Sequence, residues 1–444
     1  MNLTAMLDYS LVARAVEQEL KLLVRLKAPA CGARTRKPLH LVVVIDRSGS
    51  MAGPKIENTR HALKTLVTHL DAEDYLGLVQ FDDEVQVLLE PGPVKDKDAV
   101  KQVIQRLDTG GSTNLSGGWL RGLELLRQHA SLDRINRCLL LTDGQANVGI
   151  QDNRQLAQLG RSARQEFNAV TTTLGFGDGF NEDLLTAIAR ESGGGFYFVD
   201  KAEQAPAIFS EELQGLLRLA AQNIEVTLRP RPAVTMAAQW TDYPMVPGPD
   251  GLTFTLGDAY SGEEKNLLLS LLVPGLDALG PATVAQLDVR YAGIDDSGVH
   301  GMALTHEVRV NVAEADAAKD CRPEVEVQQQ YGLQFAAKAR KQAIIEADGG
   351  DYRKAESTLK SAMSALTALP DPGDLLKDEI QDLAQQAESM DANNYTHTRK
   401  LMREAAFNTS TGSYNKIRAA RARRQTGTPP PDNTSGSGTK PPSS

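Results

Sequence analysis

The sequence predicts an α/β domain with a mostly parallel sheet, followed by an antiparallel β-sandwich and a C-terminal helical hairpin. Three observations predict it. Residues 39–219 alternate strand-like apolar runs with helix-period segments. Residues 220–315 hold short apolar runs separated by Pro, Gly and Asp, and residues 320–405 are dominated by Ala, Gln, Lys and Leu. The expected division is 1–37 for N-terminal strands, 38–219 for the α/β domain, 220–315 for the sandwich, 316–408 for the helical hairpin region and 409–444 for a basic segment and disordered tail.

Taken in order, Glu19, Lys21, Arg25 and Lys27 interleave with Leu20, Leu22, Val24 and Leu26. A period of two marks a strand with one wet face. Lacking a neighbour in its own region, this strand at residues 16–28 is expected to pair with the later sandwich, which makes the α/β domain an insertion. Leu39–Ile45 is apolar on both faces, as a central parallel strand covered by helices requires. Helices are expected at Lys55–Leu70, Asp98–Leu107, Leu115–His129, Asn153–Phe167, Glu182–Glu191 and Ala202–Leu217. Strands are expected at Tyr75–Phe81, Val85–Leu89, Arg137–Thr142, Ala169–Gly175 and Gly195–Val199, the second of them as an antiparallel edge.

Beyond residue 220, Asn223–Arg229, Leu252–Leu256, Asn266–Val273, Ala282–Tyr291 and Glu307–Val312 have the length and turn spacing of sandwich strands. Ala355, Leu359, Ala362 and Leu366 then fall on one helical face. The hairpin around Gly350 resembles a single tetratricopeptide repeat without a second copy. Lys416–Arg424 is a basic cluster read as a solvated segment, and Thr426–Ser444, rich in Pro, Gly, Ser and Thr, reads as a disordered tail.

Composition narrows the function classes. With 48 basic and 57 acidic side chains the formal charge is −9, which argues against nucleic acid as the main partner. Cys31, Cys138 and Cys321 form no CxxC pair and fit a reducing compartment, with Cys138 a buried small hydrophobe. Met1–Ser10 has no basic n-region and no long apolar run, so no secretory leader is expected. Apolar runs such as Leu267–Val273 are far shorter than the roughly 20 residues that span a bilayer. The expectation is a soluble, cytoplasmic protein with no membrane span.

The informative chemistry lies in three segments. Val44-Ile-Asp46-Arg-Ser48-Gly-Ser50-Met51 ends an apolar strand in a carboxylate followed by hydroxyls at alternate positions. Gly110-Gly-Ser-Thr113-Asn opens a helix, and Leu141-Thr142-Asp143-Gly144 ends a second apolar strand in a carboxylate. At the carboxyl edge of an open α/β sheet such side chains face the ligand crevice. Hard oxygens of this kind suit Mg²⁺, with Ca²⁺ and Mn²⁺ as alternatives, rather than zinc or copper.

On these residues the stretch from Leu39 to Leu219 resembles a von Willebrand factor type A (VWA) domain of the bacterial and inter-alpha-trypsin-inhibitor heavy-chain branch. The family's metal-ion-dependent adhesion site (MIDAS) reads D-x-S-x-S, then Thr, then Asp in a T-D-G context. Asp46, Ser48, Ser50, Thr113 and Asp143 match it residue by residue. The resemblance implies a doubly wound, Rossmann-like fold with a Mg²⁺ at the top of the sheet. It also implies that the serine hydroxyls ligate directly, and that a partner's exposed Asp or Glu completes the shell.

A site with only two anionic ligands leaves its cation electrophilic, which favours binding over reaction, and no catalytic residue is expected. The function expected is a divalent-cation-dependent protein-interaction module or scaffold. The alternative is an adaptor subunit that presents substrates to an AAA+ ATPase or a modifying enzyme. A serine-hydrolase reading of Ser48 lacks the G-x-S-x-G frame, because Asp46 stands where its first glycine would be. The glycine-rich turns contain no P-loop pattern.

Overall fold

The computed structural model describes residues 1–30, 37–131, 133–145, 148–295, 298–369, 371–412 and 419–422. Cys31, most of the Ala30–Pro38 loop and the Thr426–Ser444 tail lie outside the described residues. The chain opens with β1 (Asn2–Leu7), β2 (Leu11–Ala13), β3 (Gln18–Lys27) and β4 (Leu39–Asp46). It continues through α1 (Pro54–His69), β5 (Tyr75–Phe81), β6 (Val85–Pro93), α2 (Lys97–Gln105) and α3 (Leu115–Gln128). Then follow β7 (Ile135–Thr142), α4 (Asn153–Phe167), β8 (Val170–Phe176), α5 (Glu182–Ser192), β9 (Phe196–Val199) and α6 (Ala205–Leu217).

These elements build a six-stranded sheet in the order β6-β5-β4-β7-β8-β9, parallel except for β6, which runs antiparallel to β5 at the edge. The strand–helix alternation in the sequence thus translates into the α/β class expected of it. Every residue of β4 is buried, because alternate side chains meet helices on opposite faces. Leu41, Val43 and Ile45 pack with Leu63, Leu66 and Ile208 of α1 and α6. Val42 and Val44 pack with Trp119, Leu184 and Ile188 of α3 and α5. Each such fully buried aliphatic side chain is worth roughly 1.5–3 kcal/mol. The Trp119 indole N–H is satisfied by Thr171 Oγ1 at 3.2 Å, so the largest core side chain leaves no polar debt.

The following segment holds β10 (Leu219–Pro230), β11 (Thr235–Gln239), β12 (Met245–Gly248), β13 (Gly251–Tyr260), β14 (Glu264–Val273), β15 (Gly280–Asp295) and β16 (Gly298–Ala313). Two further sheets result, β1-β3-β14-β11 and β12-β13-β10-β15-β16-β2. Strand β3 is paired in register with β14, Leu22 opposite Leu269 and Val24 opposite Leu267. Their inward side chains meet Val226, Phe254, Leu287 and Val310 of the other sheet in one apolar core.

The outer face of β3 is not wet as the alternation predicts. Helix α8 (Val325–Asp348), which follows the short α7 (Ala315–Lys319), crosses it. Leu23 and Leu268 pack with Val327, beside Trp240 and Tyr331. The basic residues of β3 tolerate this cover because each has an acidic partner, Lys27 pairing with Glu264. Lys21 pairs with Asp8 and lies over the Tyr331 ring, and Arg25 pairs with Glu326.

The predicted hairpin is α8 with α9 (Tyr352–Thr367), and it extends into a larger bundle through α10 (Gly373–Glu388) and α11 (Tyr395–Ser410). Helix α11, packed on α8 in the bundle, also lies along β9, the edge strand of the parallel sheet. Phe198 N–H donates to Glu404 there, and Phe407 enters the core of that sheet's α3–α5 face. An edge strand left open is a template for unwanted pairing, and α11 covers this one. Of the basic cluster at 416–424 only residues 419–422 are described. Arg421 within them is not solvated but docks on α10, donating to Glu379 at 2.6 Å and Asp382 at 2.8 Å.

Candidate metal centre

Strands β4 and β7 are hydrogen-bonded neighbours in parallel register, so Asp46 and Asp143 reach the same end of the sheet. Immediately after β4 the backbone turns sharply. Ser48 N–H donates back to Asp46 Oδ1 at 2.8 Å, and Arg47 N–H donates to Phe81 O of β5 at 2.8 Å. The loop before α3 clamps the same turn, with Gly110 N–H on Arg47 O at 2.6 Å and Gly49 N–H on Gly111 O at 3.2 Å. Met51 is buried beneath and anchors the turn in the core. The serines that follow Asp46 are therefore aimed at the crevice by backbone hydrogen bonds on both flanks.

Four of the five residues singled out in the sequence form one connected chain of oxygens. Ser48 Oγ lies 3.2 Å from Ser50 Oγ, and Ser50 Oγ donates to Asp143 Oδ1 at 2.7 Å. Asp46 joins the chain through the Ser48 amide. Thr113 is buried beside them. A Cβ at Gly144 would come within 2.8 Å of Thr113 Oγ1. The glycine of T-D-G is what lets the two loops approach. A second close approach brings the β8–α5 loop in, because a Cβ at Gly179 would come within 2.7 Å of Asp143 O. Gln145 Nε2 ties that loop down by donating to Gly179 O at 3.0 Å.

Sequence reasoning missed two participants. Thr142 donates to Asp46 Oδ2 at 2.5 Å, so both oxygens of Asp46 are occupied by protein donors. Lys55, at the second position of α1, donates to Asp143 Oδ2 at 2.5 Å. Thr142 is legible in hindsight as the first letter of T-D-G. A lysine nine residues beyond Asp46 gives no signal without the short 3₁₀ turn at Gly49–Met51 that brings α1 back over the site.

Lys55 brings one positive charge to the two carboxylates of the crevice. Burial pushes the Asp46 carboxyl above its ordinary range, hydrogen bonds from Ser48 and Thr142 pull it partly back, and the neighbouring Asp143 pushes it up again. The donor set of two carboxylates and three hydroxyls, all hard oxygens, fits an octahedral cation such as Mg²⁺. Among the described residues no group of three or more His, Cys, Asp or Glu side chains is placed to hold a metal.

An open, mostly parallel α/β sheet with its crevice above β4 and β7 defines the class, and the sequence comparison agrees: residues 40–211 match the von Willebrand factor type A domain. That stretch of the chain is similar to VWA domains, and similarity to other proteins extends beyond it. The chain is 29% identical over 374 residues to the uncharacterized protein sll0103 of Synechocystis, covering 80% of this chain and 85% of that one. It is 31% identical over 200 residues to YfbK of Escherichia coli, covering 44% of this chain and 34% of that protein. It is 33% identical over 172 residues to human inter-alpha-trypsin inhibitor heavy chain H3, covering 35% of this chain and only 18% of that protein.

Among solved structures, a von Willebrand factor type A protein from Catenulispora acidiphila superposes with a TM-score of 0.68 at 19% identity, over 87% of this chain and 89% of that one. The ArnB paralog VWA2 from Sulfolobus acidocaldarius superposes at 0.60 with 16% identity, over 93% and 98%. At these identities the likeness concerns the fold, and it extends across the sandwich and helices as well as the VWA domain. Among the described residues no helix is long and apolar enough to cross a membrane.

Proposed function

We propose that the chain is a divalent-cation-dependent protein-interaction module. In this reading Asp46, Ser48, Ser50, Thr113 and Asp143 hold a Mg²⁺ at the carboxyl edge of the sheet. A carboxylate from a partner protein completes the shell. The observation that carries the proposal is the connected oxygen chain Asp46–Ser48–Ser50–Asp143, assembled from two strand ends that the parallel register brings together.

Bound there, the cation supplies an electrophilic anchor for an anionic side chain. The protein's own residues do the rest. Ser48 and Ser50 offer neutral oxygens, so the two carboxylates only balance the ion's charge and leave it able to accept a further anionic ligand. Thr142 and the Ser48 amide hold Asp46 rigid. The loop at Gly179 and the exposed Val148, whose N–H donates to Thr113 O, flank the crevice. A carboxylate buried under a partner makes a charge-assisted contact strengthened by the lower local dielectric. Ser48 Oγ is partnered by Ser50, and among the described residues no histidine bonds to it, which supports binding over nucleophilic chemistry.

The test is calorimetric titration with Mg²⁺ and Mn²⁺ followed by partner capture from the native host. Wild-type chain should bind one ion and retain a protein that EDTA releases and Mg²⁺ restores. Asp143→Ala should lose both properties while keeping its circular-dichroism spectrum. Metal binding that survives Asp143→Ala unchanged would remove the proposal.

A further inference from the structure

A lysine ammonium lies within the oxygen set itself. Lys55 Nζ donates to Asp143 Oδ2 at 2.5 Å and to Ser50 O at 3.2 Å. With Ser50 Oγ on Oδ1, both oxygens of Asp143 are engaged. A nearby cation, Arg47, is committed elsewhere, pairing with Asp82 at 2.8 Å. Lys55 differs from it in pairing with a carboxylate that the proposed function assigns to the metal. It differs from a buried structural ion pair too, because 32% of its side chain is exposed while that of Asp143 is fully buried. Its stem passes the β8–α5 loop at Gly177, where a Cβ would still stand 3.7 Å away from both Cε and Nζ. The ammonium therefore has solvent on one side and an uncrowded loop on another.

We propose that Lys55 is a tethered competitor of the divalent cation and sets the metal affinity of the site. This rests on the functional reading above. One carboxylate cannot serve two cations equally. An ammonium anchored by α1 presents itself at Asp143 at a high effective concentration, and a flexible four-carbon stem lets it withdraw. Metal loading then requires Lys55 to give up Asp143 and move toward solvent. Without that lysine the carboxylate would have lower competition and hold the ion more tightly. Lys55 is a positioning residue in this scheme, acting on the metal through Asp143.

The experiment is titration of the full chain with Mn²⁺, using wild type, Lys55→Met, Lys55→Gln and Lys55→Arg. Lys55→Met and Lys55→Gln should bind Mn²⁺ about tenfold more tightly than wild type, as loss of one partly exposed competing charge pair implies. Lys55→Arg keeps the charge and should stay near the wild-type value, an outcome that a merely structural role for the side chain would not produce. On wild-type protein, Mg²⁺ should accelerate acetylation of the Lys55 amine by acetic anhydride several-fold, read by mass spectrometry. Wild type that binds Mn²⁺, with neutral variants binding no more tightly, overturns the inference and leaves the metal site standing. Labelling that Mg²⁺ leaves unchanged or slows overturns it as well. Absence of Mn²⁺ binding in every variant defeats the metal site and the inference together.

Discussion

Arg137 of β7 donates to Asp258 of β13 at 2.5 Å, and neither side chain reaches solvent. Arg164 of α4 donates to the other oxygen of the same carboxylate at 2.6 Å, and Asn223 N–H adds a third donor at 3.0 Å. This cluster joins the centre of the parallel sheet to the antiparallel one. Burial pushes the Asp258 carboxyl up, but the two guanidiniums outweigh it and hold it well below the usual carboxylate range. Asp258→Ala leaves two buried cations without their shared partner, and such breakage costs about 3–5 kcal/mol. Urea denaturation should show that loss, and a smaller one for Asp258→Asn, which keeps the shape and loses the charge.

A second consequence concerns pH. His40 of β4 is buried, with Nδ1 3.2 Å from Asn136 Oδ1. Burial pushes its imidazole down from 6.5 to about 4. Between those two values the unfolded chain takes up a proton that the folded chain refuses, so stability rises with pH across that window. Acidification from pH 7 to pH 5 should cost about 2 kcal/mol at this residue. Thermal unfolding of His40→Gln should show a correspondingly shallower pH dependence between pH 5 and 7; an unchanged slope would assign it to other groups.

Metal addition offers a third measurement. A ligand that binds only the folded chain stabilises it by about 2.7 kcal/mol at one hundred times its dissociation constant. Mg²⁺ should therefore raise the melting temperature of wild type, and EDTA should reverse the rise. Asp46→Ala and Asp143→Ala should melt at the same temperature with and without the ion.

The cover over β9 can be tested at Phe407, which lies 6.0 Å from Phe196 between ring centroids and is buried in the core of the parallel sheet. Phe407→Ala should cost about 3 kcal/mol through lost burial and a residual cavity. Hydrogen exchange should then quicken at Phe198, whose N–H is held by Glu404, more than at the central strand β4. Equal quickening at both strands would mean that α11 stabilises the sheet as a whole rather than guarding its edge.

Local pattern made much of this legible. The doubly apolar run at Leu39–Ile45 marks a strand buried on both faces, and β4 is one. The carboxylates that end β4 and β7 could be named because a strand followed by Asp is a local signal, and parallel register carries both to one edge. Less legible was anything set by a partner distant in the chain. The alternation in β3 indicates one polar face, yet α8, some 300 residues later, covers that face and neutralises Arg25 with Glu326. Likewise the basic residues near the C-terminus read as a solvated run, while Arg421 is matched to Glu379 and Asp382 of α10.

By itself the sequence determined the α/β class, the sheet-edge placement of Asp46 and Asp143, and the oxygen character of the candidate site, because hydrophobic period and strand-end chemistry are written in neighbouring residues. Only the tertiary structure decided what meets those groups. Lys55 on Asp143, Thr142 on Asp46, α11 along β9 and Arg137 on Asp258 each depend on elements whose approach is set by packing. The physical reason is range. A residue's preference for strand or helix is local, whereas the balance of charge around a buried carboxylate is fixed by whichever side chains the completed fold delivers to it.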